Sequence, residues 1–142
     1  MRNRIILICI SIIMAALAVC SCTVESSDNG RLDGAWHLLS INEKTPDHPD
    51  LYWNIQGKLL EMNDKTSDFG IFIMRFSRDG NQLTLSNPHI FDRESGDKEL
   101  EDATALQPFG VDNINEPFQI FSLTRSRMTL KSSTKTLEFR KL

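Results

Sequence analysis

The sequence predicts an all-β domain, a single antiparallel barrel of about eight strands with one short helix, preceded by a signal peptide. Three observations carry that expectation. From Leu32 onward, short runs of β-forming residues alternate with turn residues. The last third is a meander of three such runs joined by short polar links. All three cysteines (Cys9, Cys20, Cys22) precede the domain, which excludes disulfides, thiolate catalysis and Cys-based zinc sites from residues 23–142. The 142 residues give room for one domain with a sizeable core and little else. At 40% hydrophobic and 25% charged, the chain is neither disordered nor collagen-like. A formal charge of −3, falling to −5 once Arg2 and Arg4 leave with a leader, excludes the basic stripe of a nucleic-acid binder.

Residues 1–22 have the build of a secretory leader. Arg2 and Arg4 form the basic start, Ile5 to Val19 carry no charge, and Cys20-Ser21-Cys22 close it. The apolar run is short of the roughly 20 residues needed to span a bilayer. Val19-Cys20-Ser21-Cys22 resembles the bacterial lipobox, with Cys22 fitting better than Cys20 because Ser21, not the branched Val19, then stands at −1. The resemblance implies a diacylated, N-acylated Cys22 carrying palmitate-type chains as the first mature residue. Each buried methylene contributes about 0.8 kcal/mol, so several chains hold a protein on a membrane essentially permanently. Ordinary cleavage beside buried leader cysteines is the alternative. The chain thus divides into a signal peptide (1–21), a flexible polar tether (22–31) and a folded domain (32–142). The expected address is the cell envelope, by lipid anchor at the outer membrane, with the membrane as partner. Glu25 and Asp28 resemble weakly the export signals of surface lipoproteins, and the choice of face stays open.

The elements follow in order. Residues 34–41 form the first strand. Residues 51–62 form a second run whose apolar parity changes at Lys58-Leu59-Leu60, just after Gly57, which predicts a bulge or bend. Residues 69–76 are apolar on both parities. Either Phe69, Ile71, Ile73 and Arg75 face inward, or Phe72, Met74 and Phe76 do, and the aromatics fill a core better. Asp79-Gly80 is a hairpin signal, since it supplies the positive φ of a tight turn. Residues 82–86 follow, Asn87-Pro88 breaks them, and residues 89–91 form a further short strand. Residues 92–102 hold six acids against two bases and read as a solvated connection or a cation-binding loop. Residues 103–110 make one or two helical turns, capped by Asp102 and ended by a left-handed Gly110; the alternative start is Asp97, with Leu100, Ala103 and Leu106 as the buried stripe. The meander comprises residues 118–123, 127–131 and 136–140, with Met128 and Leu130 sharing a face, as do Leu137 and Phe139. Closure into a barrel removes free edges.

Leu32-Asp33-Gly34-Ala35-Trp36 before a β run resembles the Gly-x-Trp opening of lipocalin and calycin barrels. Arg127-Met128-Thr129-Leu130 and Leu137-Glu138-Phe139-Arg140-Lys141-Leu142 are similar to the closing strands of lipocalin-like domains of Gram-negative lipoproteins, and Leu106-Gln107-Pro108-Phe109-Gly110-Val111 to a segment ahead of them. The resemblance covers residues 32–142. It implies that Gly34 admits the first strand to the barrel base, that Trp36 plugs the closed end, and that a basic residue of the last strand, Arg140, lies across the indole. Strict alternation puts Arg140 opposite Phe139, so the last role requires a twist or bulge.

Chemistry is sparse. His37 adjoins Trp36 and points outward. His48 lies in Thr45-Pro46-Asp47-His48-Pro49-Asp50, where Asp47 and Asp50 are candidate hard-metal ligands and a rigid Pro-flanked turn is the simpler account. His89 sits three residues before Asp92 with no third ligand. No zincin motif, nucleophile elbow or phosphate-cradling loop occurs, so neither an enzyme, a metal site nor a cofactor is expected. The expected function is a non-enzymatic, lipid-anchored barrel holding a small hydrophobic ligand, lined by Trp53, Ile55, Ile71, Ile73 and Phe118. An inward Arg75 would then pair with a carboxylate. The alternative is a pocketless module contacting an envelope protein or a glycan, with Tyr52 and Trp53 as its contacts.

Overall fold

The computed structural model describes residues 29–66 and 68–142, so the leader, Cys22 and the tether up to residue 28 lie outside the described residues. Nine strands follow one another: β1 (Gly34–Ile41), β2 (Leu51–Gln56), β3 (Leu59–Asp64), β4 (Phe72–Asp79), β5 (Gln82–Ile90), β6 (Lys98–Glu99), β7 (Glu116–Leu123), β8 (Arg127–Lys131) and β9 (Thr136–Lys141). Eight of them pair antiparallel in the cyclic order β1-β2-β3-β4-β5-β7-β8-β9, and β9 returns to β1 to close the barrel. The two-residue β6 rides on the end of β5.

Three boundaries differ from the sequence expectation, each for a local reason. Residues 51–62 are two strands, not one bent strand: Gly57 (φ 61°) and Lys58 form a two-residue hairpin between Gln56 and Leu59, so the parity change marks a chain reversal. Strand β4 begins at Phe72 and runs through Ser77-Arg78-Asp79, and Gly80-Asn81 make its turn into β5. Strand β5 runs through Asn87-Pro88 without a break, because Asn87 adopts a left-handed φ of 58° and the ladder to β4 absorbs the extra residue by a register shift. Pro88 lacks an N–H but its carbonyl still accepts from Leu100.

Alternation along the strands sends one parity inward. Trp36 and Leu38, Trp53 and Ile55, Leu60 and Met62, Phe72, Met74 and Phe76, Leu83 and Leu85, Phe118 and Ile120, Met128 and Leu130, Leu137 and Phe139 all fill the interior. Trp53 sits at its centre, with ring centroids 4.9 Å from Phe139 and 5.8 Å from Phe118. An eight-stranded barrel is just wide enough to be filled this way.

The two ends are closed by different devices. At the base, the 3-10 turn Gly30–Leu32 crosses under the barrel, Leu32 is fully buried, and its carbonyl accepts from Trp36 Nε1 at 2.8 Å. Asn29 donates to the Gly57 carbonyl at 2.6 Å, so the described end of the expected tether is fastened to the base. Lys141, not Arg140, lies over Trp36: its Nζ is 4.7 Å from the ring and donates to the Arg31 carbonyl at 2.7 Å. No twist intervenes, so parity with Phe139 turns Lys141 inward and leaves Arg140 exposed. Gly34 (φ 134°) makes room, since a Cβ there would stand 3.1 Å from the Lys141 stem. At the mouth, the 3-10 helix Thr104–Phe109 drives Leu106 and Phe109 into the barrel. Asp102 accepts from Thr104 N–H, and Gly110 (φ 89°) ends the turn as expected. Trp53 Nε1 donates to the Phe109 carbonyl at 3.2 Å, tying the plug to the core.

Charge divides along the axis. The base turns and strand ends carry Arg31, Lys58, Arg78, Arg125, Arg127 and Arg140, with Asp33 and Asp79 as their acids. The loops at the mouth hold most of the acids, including Glu43, Asp47, Asp50 and the run from Asp92 to Asp102.

Candidate functional site

The inward residues of the expected ligand set come together, and the others do not. Trp53, Ile55 and Phe118 face the axis, where they are packed against other core side chains. Ile71 and Ile73 are half-buried, and Ile73 shares the outer face of β4 with Arg75, which is exposed and lines a surface recess with Leu59, Asn87 and His89. The alternation Phe72, Met74, Phe76 therefore holds, and the reading of Arg75 as an interior guanidinium is corrected: an unpaired interior cation is far costlier than three buried apolar side chains. Tyr52 and Trp53 are not surface contacts either. Trp53 is fully buried, and Tyr52 is covered by a stacked His37 ring (4.9 Å) and by Lys65 (5.3 Å). His37 does point outward, and its Nε2 donates to the Pro49 carbonyl.

One concave site with a largely apolar wall is at the mouth. A cleft of about 570 Å³ lies between the β1–β2 loop, the β3–β4 loop and the plug. Its apolar wall is Ile41, Pro46, Leu51, Phe69 and Pro108, and Lys44, Asp47 and His48 add charge and hydrogen-bonding groups. Phe69 is the hinge of this wall: it stands edge-on to His48 (4.9 Å) and to Phe109 (6.3 Å), and 37% of it stays exposed. The sequence singles out His48 and Asp47 as candidate ligands and Phe69 as one of a possible inward set, but it does not join them, because loop residues carry no periodicity and only the folded barrel brings positions 41–51, 69 and 107–108 together.

The Pro-rich turn does not gather His48 with Asp47 and Asp50, as the metal-ligand alternative supposed. His48 instead faces the loop after β3, with its Nε2 3.7 Å from Asp68 Oδ2. Asp64, at the end of β3, is buried beside it; its Oδ2 accepts from Thr66 Oγ1 (2.5 Å) and from Asp68 N–H (2.9 Å). Burial alone would raise the Asp64 pKa, but the Thr66 hydroxyl and the backbone N–H of Asp68 outweigh it and hold the carboxyl below its ordinary value. His89 stays apart, its Nδ1 bonded to the Asn87 carbonyl. The acidic connection is a local turn, in which Asp92 accepts from the N–H groups of Glu94 and Ser95; its carboxyl is held low chiefly by the Ser95 hydroxyl.

The family model for a lipocalin-like domain matches residues 16–142. This chain belongs to that family. The fold agrees: a lipocalin-like protein from Bacteroides uniformis ATCC 8492 superposes with a TM-score of 0.59 at 20% identity, over 80% of this chain and 100% of that one. An uncharacterized protein from Bacteroides eggerthii DSM 20697 superposes with a TM-score of 0.54 at 14% identity, over 78% of this chain and 98% of that one. A comparison with curated proteins gives no match. In this lipocalin-like chain the described barrel has a filled interior, and a cleft lies at its rim.

Proposed function

We propose that the protein is a non-enzymatic, lipid-anchored envelope protein that binds a small hydrophobic ligand in the cleft at the barrel mouth. The cleft carries this reading: its volume, about 570 Å³, lies in the range of small-molecule sites, and its wall is apolar with a few polar groups at one side. Lys44 is the cation on that rim, suited to a carboxylate head group whose tail lies along Leu51 and Phe69. The chain enters the domain at the base beside Asn29, so an anchor at Cys22 would leave the mouth pointing away from the lipid. The basic base then faces the membrane and the acidic loops face outward, the favourable polarity for an anionic leaflet.

Protein made in its host and examined intact by native mass spectrometry tests both parts. The expected result is an acyl mass on Cys22 and a co-purifying small apolar molecule, displaced by a fluorescent fatty acid and lost in Phe69→Asp. Saturable binding unchanged in Phe69→Asp would place the ligand elsewhere. The second reading, a pocketless module contacting an envelope protein or a glycan, is favoured by the filled interior and by Phe121, which is 61% exposed beneath Lys131 Nζ (3.7 Å). Absence of any bound small molecule would move the assignment to it.

A further inference from the structure

We infer that His48, Asp64 and Asp68 form a binding site for a first-row divalent metal ion of the zinc type at the edge of the mouth cleft. Each of the three offers a ligand atom, and these atoms lie within 4.8 Å of one another. The trio is not a patch of exposed acids. Asp64 is only 2% exposed, and its Oδ1 has no hydrogen-bond partner. The Nδ1 of His48 is likewise buried without a partner. Among the described residues these are the two buried side-chain polar atoms left unpaired, and both belong to the same three residues. A buried carboxylate oxygen without a donor is costly, so Asp64 Oδ1 asks for a partner.

Charge balance points to a cation as that partner. Asp64 and Asp68 lie close enough for one Thr66 hydroxyl to contact both Asp64 Oδ2 (2.5 Å) and Asp68 Oδ2 (2.8 Å). One hydroxyl proton serves only one of two acceptors at a time. Among the described residues no Lys or Arg is ion-paired with either acid; the side chain facing Asp68 is the His48 ring. The donor set selects the class of ion. One imidazole nitrogen with two carboxylates suits Zn²⁺ and its first-row neighbours, whereas Ca²⁺ and Mg²⁺ take oxygen alone. Bonds of about 2.1 Å place tetrahedral donors about 3.4 Å apart, so donors within 4.8 Å of one another close on an ion by side-chain movement of at most about 1.4 Å. The side chain free to supply it is Asp68, 69% exposed, while Asp64 is fixed by its turn. His48 also lines the cleft, which puts the ion's remaining positions within reach of solvent or an anionic ligand there. The site stands independently of the apolar-ligand reading.

The test is titration of the full, detergent-solubilised chain with ZnCl₂, followed calorimetrically and by thermal unfolding, with Co²⁺ absorption as a spectroscopic readout. A 1:1 site is expected, weakened at least tenfold in His48→Ala and in Asp68→Asn, and unchanged in His89→Gln. Asp68→Asn keeps the fold testable, because Asp68 is exposed where Asp64 is structural. No 1:1 binding by the unmodified chain, or binding by Asp68→Asn and His48→Ala as tight as that of the unmodified chain, overturns the site.

Discussion

Replacing Phe109 with Ala removes the ring that stoppers the barrel. Phe109 is fully buried, with its centroid 5.9 Å from Phe72 and 6.3 Å from Phe69. A buried Phe→Ala change costs about 3–5 kcal/mol, in part from the residual cavity. Phe69 is half-exposed and able to swing into the space, which places the expected loss near the lower figure, about 3 kcal/mol, as long as the turn Thr104–Phe109 stays seated. If the turn lifts, Trp53 Nε1 also loses the Phe109 carbonyl, adding about 1–3 kcal/mol for a stranded buried donor. Urea unfolding followed by Trp emission separates the two outcomes, since both Trp36 and Trp53 are interior. A seated turn lowers the midpoint without shifting native emission, and a lifted one shifts emission to the red as water reaches Trp53. Binding of an apolar fluorophore should rise in either case. A loss below about 1 kcal/mol with unchanged emission would refute the view that this ring completes the core.

Four further outcomes follow from the same geometry. Lys141→Met should cost about 1–2 kcal/mol by removing the cation over Trp36 and the bond to the Arg31 carbonyl, while Arg140→Met should stay within about 0.5 kcal/mol; equal effects in denaturant titration would contradict the assignment. Gly110→Ala should destabilise by at least about 1–3 kcal/mol, because its Cβ would lie 2.5 Å from Leu137 Cδ2 at a φ of 89°, and a thermal midpoint like that of the parent would disprove the clash. Asp64, whose pKa is lowered on folding, contributes stability that is full above the unfolded carboxylate range near pH 4 and fades as pH falls through the folded value. Asp64→Asn should therefore flatten the acid limb of the melting curve below about pH 4, and parallel limbs for the two proteins would count against it. Arg75→Met should leave fatty-acid binding and stability unchanged in a fluorescence titration, since the guanidinium is on the outer surface.

Sequence by itself determined the elements whose evidence is local. The alternation through Gly34–Ile41, Arg127–Lys131 and Thr136–Lys141, the hairpin turn at Gly80 and the Gly110 terminus are each decided within a few residues by which side chains can face water and which φ a residue can adopt. Even Lys141 over Trp36 follows from parity once the strand is taken as straight; the error lay in reading the role onto its neighbour. Ambiguity persisted where both parities are apolar, as at residues 69–76, because composition cannot say which face a closing sheet turns inward. Only the tertiary structure decided three things: that the interior is filled, that an apolar-walled cleft forms at the mouth, and that His48 meets Asp64 and Asp68 instead of its neighbours Asp47 and Asp50. Each depends on loops joined through the barrel's closure, and the partners of a loop side chain are set by where the strands end in space, which no periodicity along the chain encodes.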